Sequence, residues 1–130
     1  MEVGVALSTY LANKLLDHTV RNTAYTSPTT VYLALFTAMP AADGTGGTEV
    51  TGGSYARQAV TFNAASGGVS SSSGALTFSS MPAAVVVGAA LYDAASAGNM
   101  LHFGAWGSYS SISATTDFVI AVADVVAVMR

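Results

Sequence analysis

Along residues 5–20 the positions Leu7, Leu11 and Leu15, continued by His18 and Thr19, recur at intervals of three and four, with Tyr10, Lys14 and Asp17 beside them. That is the spacing of one helical face, and it predicts a helix over about residues 5–20. Ser8 or Thr9 is a candidate for the first turn. Asn22 and the run 23–28 end the helix, because the residue before Pro28 is biased away from the α region.

Beyond residue 29 the pattern changes to β. Residues 30–38, TVYLALFTA, place Val31, Leu33 and Leu35 on one face and Tyr32, Ala34 and Phe36 on the other. A strand apolar on both faces is covered on both. Residues 39–53 hold Pro40, Asp43 and five glycines and predict a loop. Short strands are expected at 55–60, 75–78, 84–92, 100–106, 117–122 and 125–129, with a turn at 93–99 that makes a hairpin of its neighbours. The run NAASGGVSSSSG at 63–74 has linker composition, but strand signals resume directly after it, which makes it a long surface loop. The expected fold is mainly β: an antiparallel β-sandwich of six to eight short strands with one N-terminal α-helix. The length suits a single domain over residues 1–130, with the sandwich over about 29–130.

Composition narrows the function. Charged residues are 8% of the chain, against about 25% in an ordinary soluble domain. Ala, Ser, Thr and Gly together make up about half of it. Disorder is excluded by 52% hydrophobic residues and a net charge of only -3. Four basic residues cannot neutralise many phosphates, so no nucleic-acid partner is expected. The apolar runs at 81–92 and 118–129 fall short of the roughly 18–20 residues a helical span needs, so no membrane partner is expected either. The opening MEVGVALSTY has an acid where the basic region of a signal peptide would stand. A surface this poor in charge is either made of small weakly polar side chains or covered by other subunits.

Candidate chemistry is thin. With no cysteine, thiolate metal sites, disulfides and cysteine nucleophiles are absent together. His18 follows Asp17 on the helix, where consecutive residues do not face each other. His102 lies between Leu101 and Phe103 in a strand, without a nucleophile and an orienting acid at triad spacing. No serine sits in a nucleophile elbow. The segment DGTGGTE at 43–49 lacks the alternating oxygen ligands of a calcium loop. No pair of acids is set out for glycoside hydrolysis. Catalytic, cofactor-binding and metal-binding residues are therefore expected to be none, and the chain is not expected to be an enzyme. Tyr25, Tyr32, Tyr55, Tyr92, Trp106 and Tyr109 are candidates for a sugar-stacking surface, although strand aromatics are more often core or cross-strand pairs. Trp106 and Tyr109, beside Gly107 at a strand end, are the pair expected to be exposed. Arg57 needs a partner in so uncharged a chain. Glu49, across the preceding loop, and Asp93 are the natural ones, and an Arg57–Glu49 structural ion pair is expected.

The segments LSTYLANKLLDH at 7–18, PTTVYLALFTA at 28–38, GTEVTGGSYARQAV at 47–60, ALTF at 75–78 and ALYDAASAGNML at 90–101 stand in the order seen in a family of small tailed-phage virion proteins, often labelled tail-fibre-like. The chain resembles that family over most of its length. It departs from the family pattern in the compact Ser-rich run 63–74 and in the last third, which lacks a Gly-Asp turn before the penultimate strand. None of the shared segments is a catalytic motif, so the resemblance implies a structural component of a virion.

Two roles follow as expectations. The first is a capsid decoration or cement protein, a short domain bound in many copies that stabilises the assembled shell by mass action. The alternative is a tail, baseplate or short tail-fibre component, with possible binding of a host-surface glycan. Either implies a homo-oligomer, with a trimer favoured, and partners such as the major capsid protein or tail proteins. Either places the chain in a virion assembled in the host cytoplasm. The expected interface is the helix face Leu7, Tyr10, Leu11 and Lys14, with Trp106 and Tyr109 as a second contact.

Overall fold

The computed structural model describes residues 3–129; Glu2, on which the leader reading rests, lies outside them. Ten strands and one helix follow in the order β1 (Val3–Leu7), α1 (Thr9–Val20), β2 (Val31–Ala38), β3 (Thr48–Glu49), β4 (Gln58–Val60), β5 (Val69–Ser71), β6 (Leu76–Met81), β7 (Ala84–Tyr92), β8 (Met100–Ile112), β9 (Thr116–Ile120) and β10 (Val125–Val128). The large sheet runs β3-β2-β7-β8-β1-β10-β5, with β4 also paired to β2, and β6 with β9 forms a second sheet. The fold is mainly β, a sandwich with antiparallel pairing dominant and one helix near its start. The parallel ladder is β1 with β10.

Three of the ten strands lie outside the segments that the sequence pattern marks as strands: β1, β3 and β5. The helix predicted over 5–20 begins instead at Thr9, and residues 3–7 are a strand. Ser8 divides the two elements. Its Oγ accepts from the Leu11 N–H at 3.1 Å as the helix N-cap and donates to the Met100 carbonyl, while its own N–H bonds the Leu101 carbonyl at 2.9 Å. The apolar spacing alone runs straight through this cap, because Leu7 continues the period of Leu11 and Leu15. In β1, Val3, Gly4 and Val5 pair with β10, whereas Ala6 and Leu7 pair with β8. The strand thus joins two parts of the sheet.

The run 63–74, expected as an open loop, contains β5. Its hydroxyls supply backbone partners: Ser72, fully buried, bonds Val125 through both its N–H and its Oγ, and Thr61 and Ser73 share a 2.7 Å hydroxyl contact. The loop expected over 39–53 contains β3, which pairs with Phe36 and Ala38 of β2.

β2 is covered on both faces, as its pattern predicts. Leu33 and Leu35 join the main core with Phe78, Met81, Val86, Leu91, Ile120 and Val125. Ala34 and Phe36 face a second cluster with Ala90 and Met100, closed over by Met39, Tyr92 and Phe103. Met39 comes so close to β7 that a side chain at Gly88 would meet its sulfur at 2.5 Å, and the Gly104 carbonyl at the same distance. Only glycine lets the chain after β2 fold back here.

Ser8 tests this arrangement. Ser8→Ala removes a helix cap and leaves the buried Met100 carbonyl without its donor, so it is expected to cost about 1–3 kcal/mol of stability. Urea unfolding measures this, and an unchanged midpoint would show that the strand–helix joint does not depend on the cap.

Candidate functional site

The strongest electrostatic feature is built from segments far apart in sequence. Arg57, just before β4, donates from Nη2 to Glu49 Oε1 at 2.9 Å and from Nε to Glu49 Oε2 at 3.0 Å. Its Nη1 donates to the carbonyls of Ala94 and Ala97 in the β7–β8 turn. Its guanidinium carbon lies 3.9 Å from the centroid of the Tyr92 ring. Tyr55 completes the group: its hydroxyl donates to Glu49 Oε2 at 2.8 Å and accepts from the Leu35 N–H at 2.9 Å. Burial pushes the Tyr55 phenol above its ordinary pKa, and the acceptor Glu49 adds to that. Burial opposes the Arg57 charge, but Glu49 outweighs it and the pKa is raised. The Arg57 side chain is 8% exposed, so this is a scaffold joining β2, β3 and the β7–β8 turn. Asp93, the other natural partner, is engaged elsewhere: its carboxylate accepts from the N–H and Nδ2 of Asn99.

The structure separates the residues expected at an interface. Leu7 lies in β1 and not on the helix. Leu11 is buried in the main core and is the buried residue of α1. Tyr10 is half-buried, and the Lys14 ammonium lies 5.7 Å from its ring centroid. Trp106 is also buried. It donates from Nε1 to the Val86 carbonyl at 3.0 Å and packs on Phe118. Tyr109, three residues on, is 74% exposed. A bulge explains the contrast. Val86 pairs with Ser110 but Gly88 pairs with Ala105, so residues 106–109 of β8 lie opposite a single residue of β7. A bulge re-aims side chains, and this one turns Trp106 inward while Tyr109 faces out.

A different surface emerges from the sheet register. Leu7 pairs with His102, and His102 with Leu91, which belongs to the main core. Val5 pairs with Ala127. Paired residues share a face and alternate residues along a strand return to it, so Leu7, His102 and Ala127 continue the core-facing side of the large sheet. Here that side opens into two hollows of about 390 and 400 Å³. One is lined by Val69, His102 and Ala127 among others, the other by Leu7, Leu15 and Leu16, and Met129 lines both. Leu16 is 57% and Met129 50% exposed, and Val20 on the same helix is more exposed still. Leu7 and Leu15 stand on the apolar stripe that the sequence shows, whereas Leu16, Val69 and Met129 do not. The Leu15–Leu16 doublet was the signal in the helix. No local signal marks Val69 or Met129, which meet only through the β5–β10 ladder.

His102 is the titratable group in this lining. Its Nδ1 is buried without a hydrogen-bond partner, and burial lowers the imidazole pKa below its ordinary value. The other acids mostly staple turns. Thr45 donates to Asp43 from both N and Oγ1, and Asp117 accepts from the Ser80 N–H.

The family model described as Podophage GP4 fiber I protein gp80 matches residues 6–127. No curated protein matches the chain.

Two outcomes are expected. Arg57→Ala strands Glu49 and the turn carbonyls and should cost about 2–4 kcal/mol, somewhat below a fully buried pair because Glu49 is 25% exposed. Arg57→Lys should recover only part of this, since an ammonium cannot make the two parallel bonds; chemical denaturation of both variants checks it. For His102 the unfolded imidazole, near 6.5, binds its proton before the folded one does. Its contribution is therefore intact above that value and declines as pH falls below it. The stability lost between about pH 7 and about pH 5 should be smaller in His102→Leu than in the wild type; equal losses would remove His102 as the cause.

Proposed function

The chain belongs to the podophage GP4 fiber I protein gp80 family, a tailed-phage virion family of fibre type, and we propose that it is a structural subunit of a tail fibre, assembled through the apolar surface between α1 and β10. The observation that carries this reading is the open end of the core-facing sheet side, where Leu7, Leu15, Leu16 and Met129 line apolar hollows with two of them half exposed or more. Contiguous apolar surface of this kind marks a protein contact. Its partners are copies of the chain, closed by rotational symmetry and proposed as a trimer, together with neighbouring tail proteins. A structural rather than catalytic role is supported by the use of Glu49, Asp43, Asp93 and Asp117 as internal hydrogen-bond acceptors. Assembly would take place in the host cytoplasm before incorporation into the virion. A capsid decoration role shares the same charge-poor surface and differs in copy number.

Leu16→Asp combined with Met129→Asp should convert an oligomer into a monomer in light scattering, with the monomer still folded by circular dichroism because both side chains are exposed in the single chain. An oligomer that survives the double substitution, or a wild type that is monomeric at high concentration, would count against assembly through this surface. Stained gels of purified virions then separate the locations: a few to a few dozen copies per particle support a fibre, and hundreds, near the major capsid protein, support decoration.

A further inference from the structure

The hollow lined by Val69, His102, Ala127 and Met129 holds a titratable group that the fold leaves unused. His102 stands in β8 between Leu7 of β1 and Leu91 of β7, its register partners on either side. Its Nδ1 is buried and finds no hydrogen-bond partner among the described residues. Burial alone accounts for its lowered pKa, with no neighbouring charge contributing. The elements around it explain why. β1, β5 and β10 carry no charged or titratable side chain, and the one such residue of β7 is Tyr92, whose ring faces the Arg57 guanidinium. Tyr109, the other titratable residue of β8, lies seven positions along the strand. On α1, Asp17 and Arg21 pair with each other at 3.1 Å, Lys14 lies by the Tyr10 ring, and His18 Nδ1 accepts from the Tyr25 N–H at 3.3 Å. Asp124, the residue before β10, has an interaction of its own. Among the described residues, an imidazolium formed at His102 therefore has only water to solvate it.

A second copy docked over the two hollows takes that water away. The neutral ring tolerates this, because one of its nitrogens already sits dry. The charged ring does not, because a cation removed from water without a partner is costly. We infer that His102 makes assembly through this surface acid-labile, the neutral ring permitting copies of the chain to close over the hollows and the protonated ring driving them apart. The sign follows from proton linkage. The docked state buries the ring further and binds fewer protons than the free subunit. Association is therefore intact at neutral pH and weakens as pH falls below about 6.5, the ordinary value for imidazole. The overall charge works in the opposite direction: acid brings the net charge of -3 toward zero, which by itself promotes association. Dissociation in acid is thus the mark of a group at the contact. The inference rests on the reading that copies of the chain dock here, and it adds what controls the docking.

Analytical ultracentrifugation of the full chain, stepped from about pH 7.5 to about pH 5 and back, tests it. The wild type is expected to be an oligomer at the start, with a dissociation constant that rises about tenfold or more in acid and recovers on return. His102→Leu and His102→Gln cannot ionise at this position, and each should change by less than about twofold over the same range; either decides the matter should the other fail to fold. His18→Gln, which removes the chain's other histidine, should keep the wild-type response. Circular dichroism at each pH should show that the subunits come apart folded. A wild type that is monomeric at neutral pH would overturn the assembly reading and this inference with it. An oligomer indifferent to acid, a response kept without His102 or lost with His18, or dissociation only alongside unfolding would overturn this inference and leave the assembly reading standing.

Discussion

The large sheet depends on five residues at its centre. β1 pairs in parallel with β10 through its first half and antiparallel with β8 through its second. Without it, β10 and β5 would be a two-stranded ribbon cut off from the other strands, and such a ribbon is marginal alone in water. The joint continues directly into Ser8, whose bonds to Met100 and Leu101 fasten the start of α1 to β8. Helix position, the β5–β10 edge and the apolar hollows between them are therefore consequences of one strand's pairing.

Scarcity of charge becomes intelligible once the partners are seen. Arg57 and Glu49 are spent on joining β2, β3 and the β7–β8 turn, with Tyr55 bridging to the backbone of β2. Asp43, Asp93 and Asp117 hold turns or the bulged β6–β9 pairing. Charge used this way shapes the chain. At one place the exterior is an uncovered end of the core, suited to another protein.

Legibility varied with how local each cause was. The two-faced apolar pattern of β2, the run that forms β7 and the turn 93–99 could be read because their neighbours in sequence are also their determinants. That Arg57 needs an acidic partner, with Glu49 and Asp93 the natural ones, follows from rarity, since so few charges offer few pairings. Trp106 could not be read in this way: its inward turn depends on a bulge set by how β7 and β8 come into register. Nor could β5, whose serines have the composition of a linker until β10 lies beside them and Ser72 bonds Val125. In the candidate interface, Leu7 and Leu15 stood out on their stripe, whereas Met129 and Val69 acquired meaning only from strands that bring the two ends of the chain together.

By itself, then, the sequence determined the class of fold, the single helix near the start, the covering of β2 on both faces and the scarcity of charge. Each follows from side-chain periodicity or composition, which act over a few residues. The tertiary structure alone decided that residues 3–7 are a strand, that Leu11 and Trp106 are core while Leu16, Tyr109 and Met129 are exposed, and that His102 and Met129 line one hollow. The physical reason is common to all of them. A strand is completed by backbone partners that can come from anywhere in the chain, so which residues pair, and which side chains then share a face, is settled only when distant segments meet.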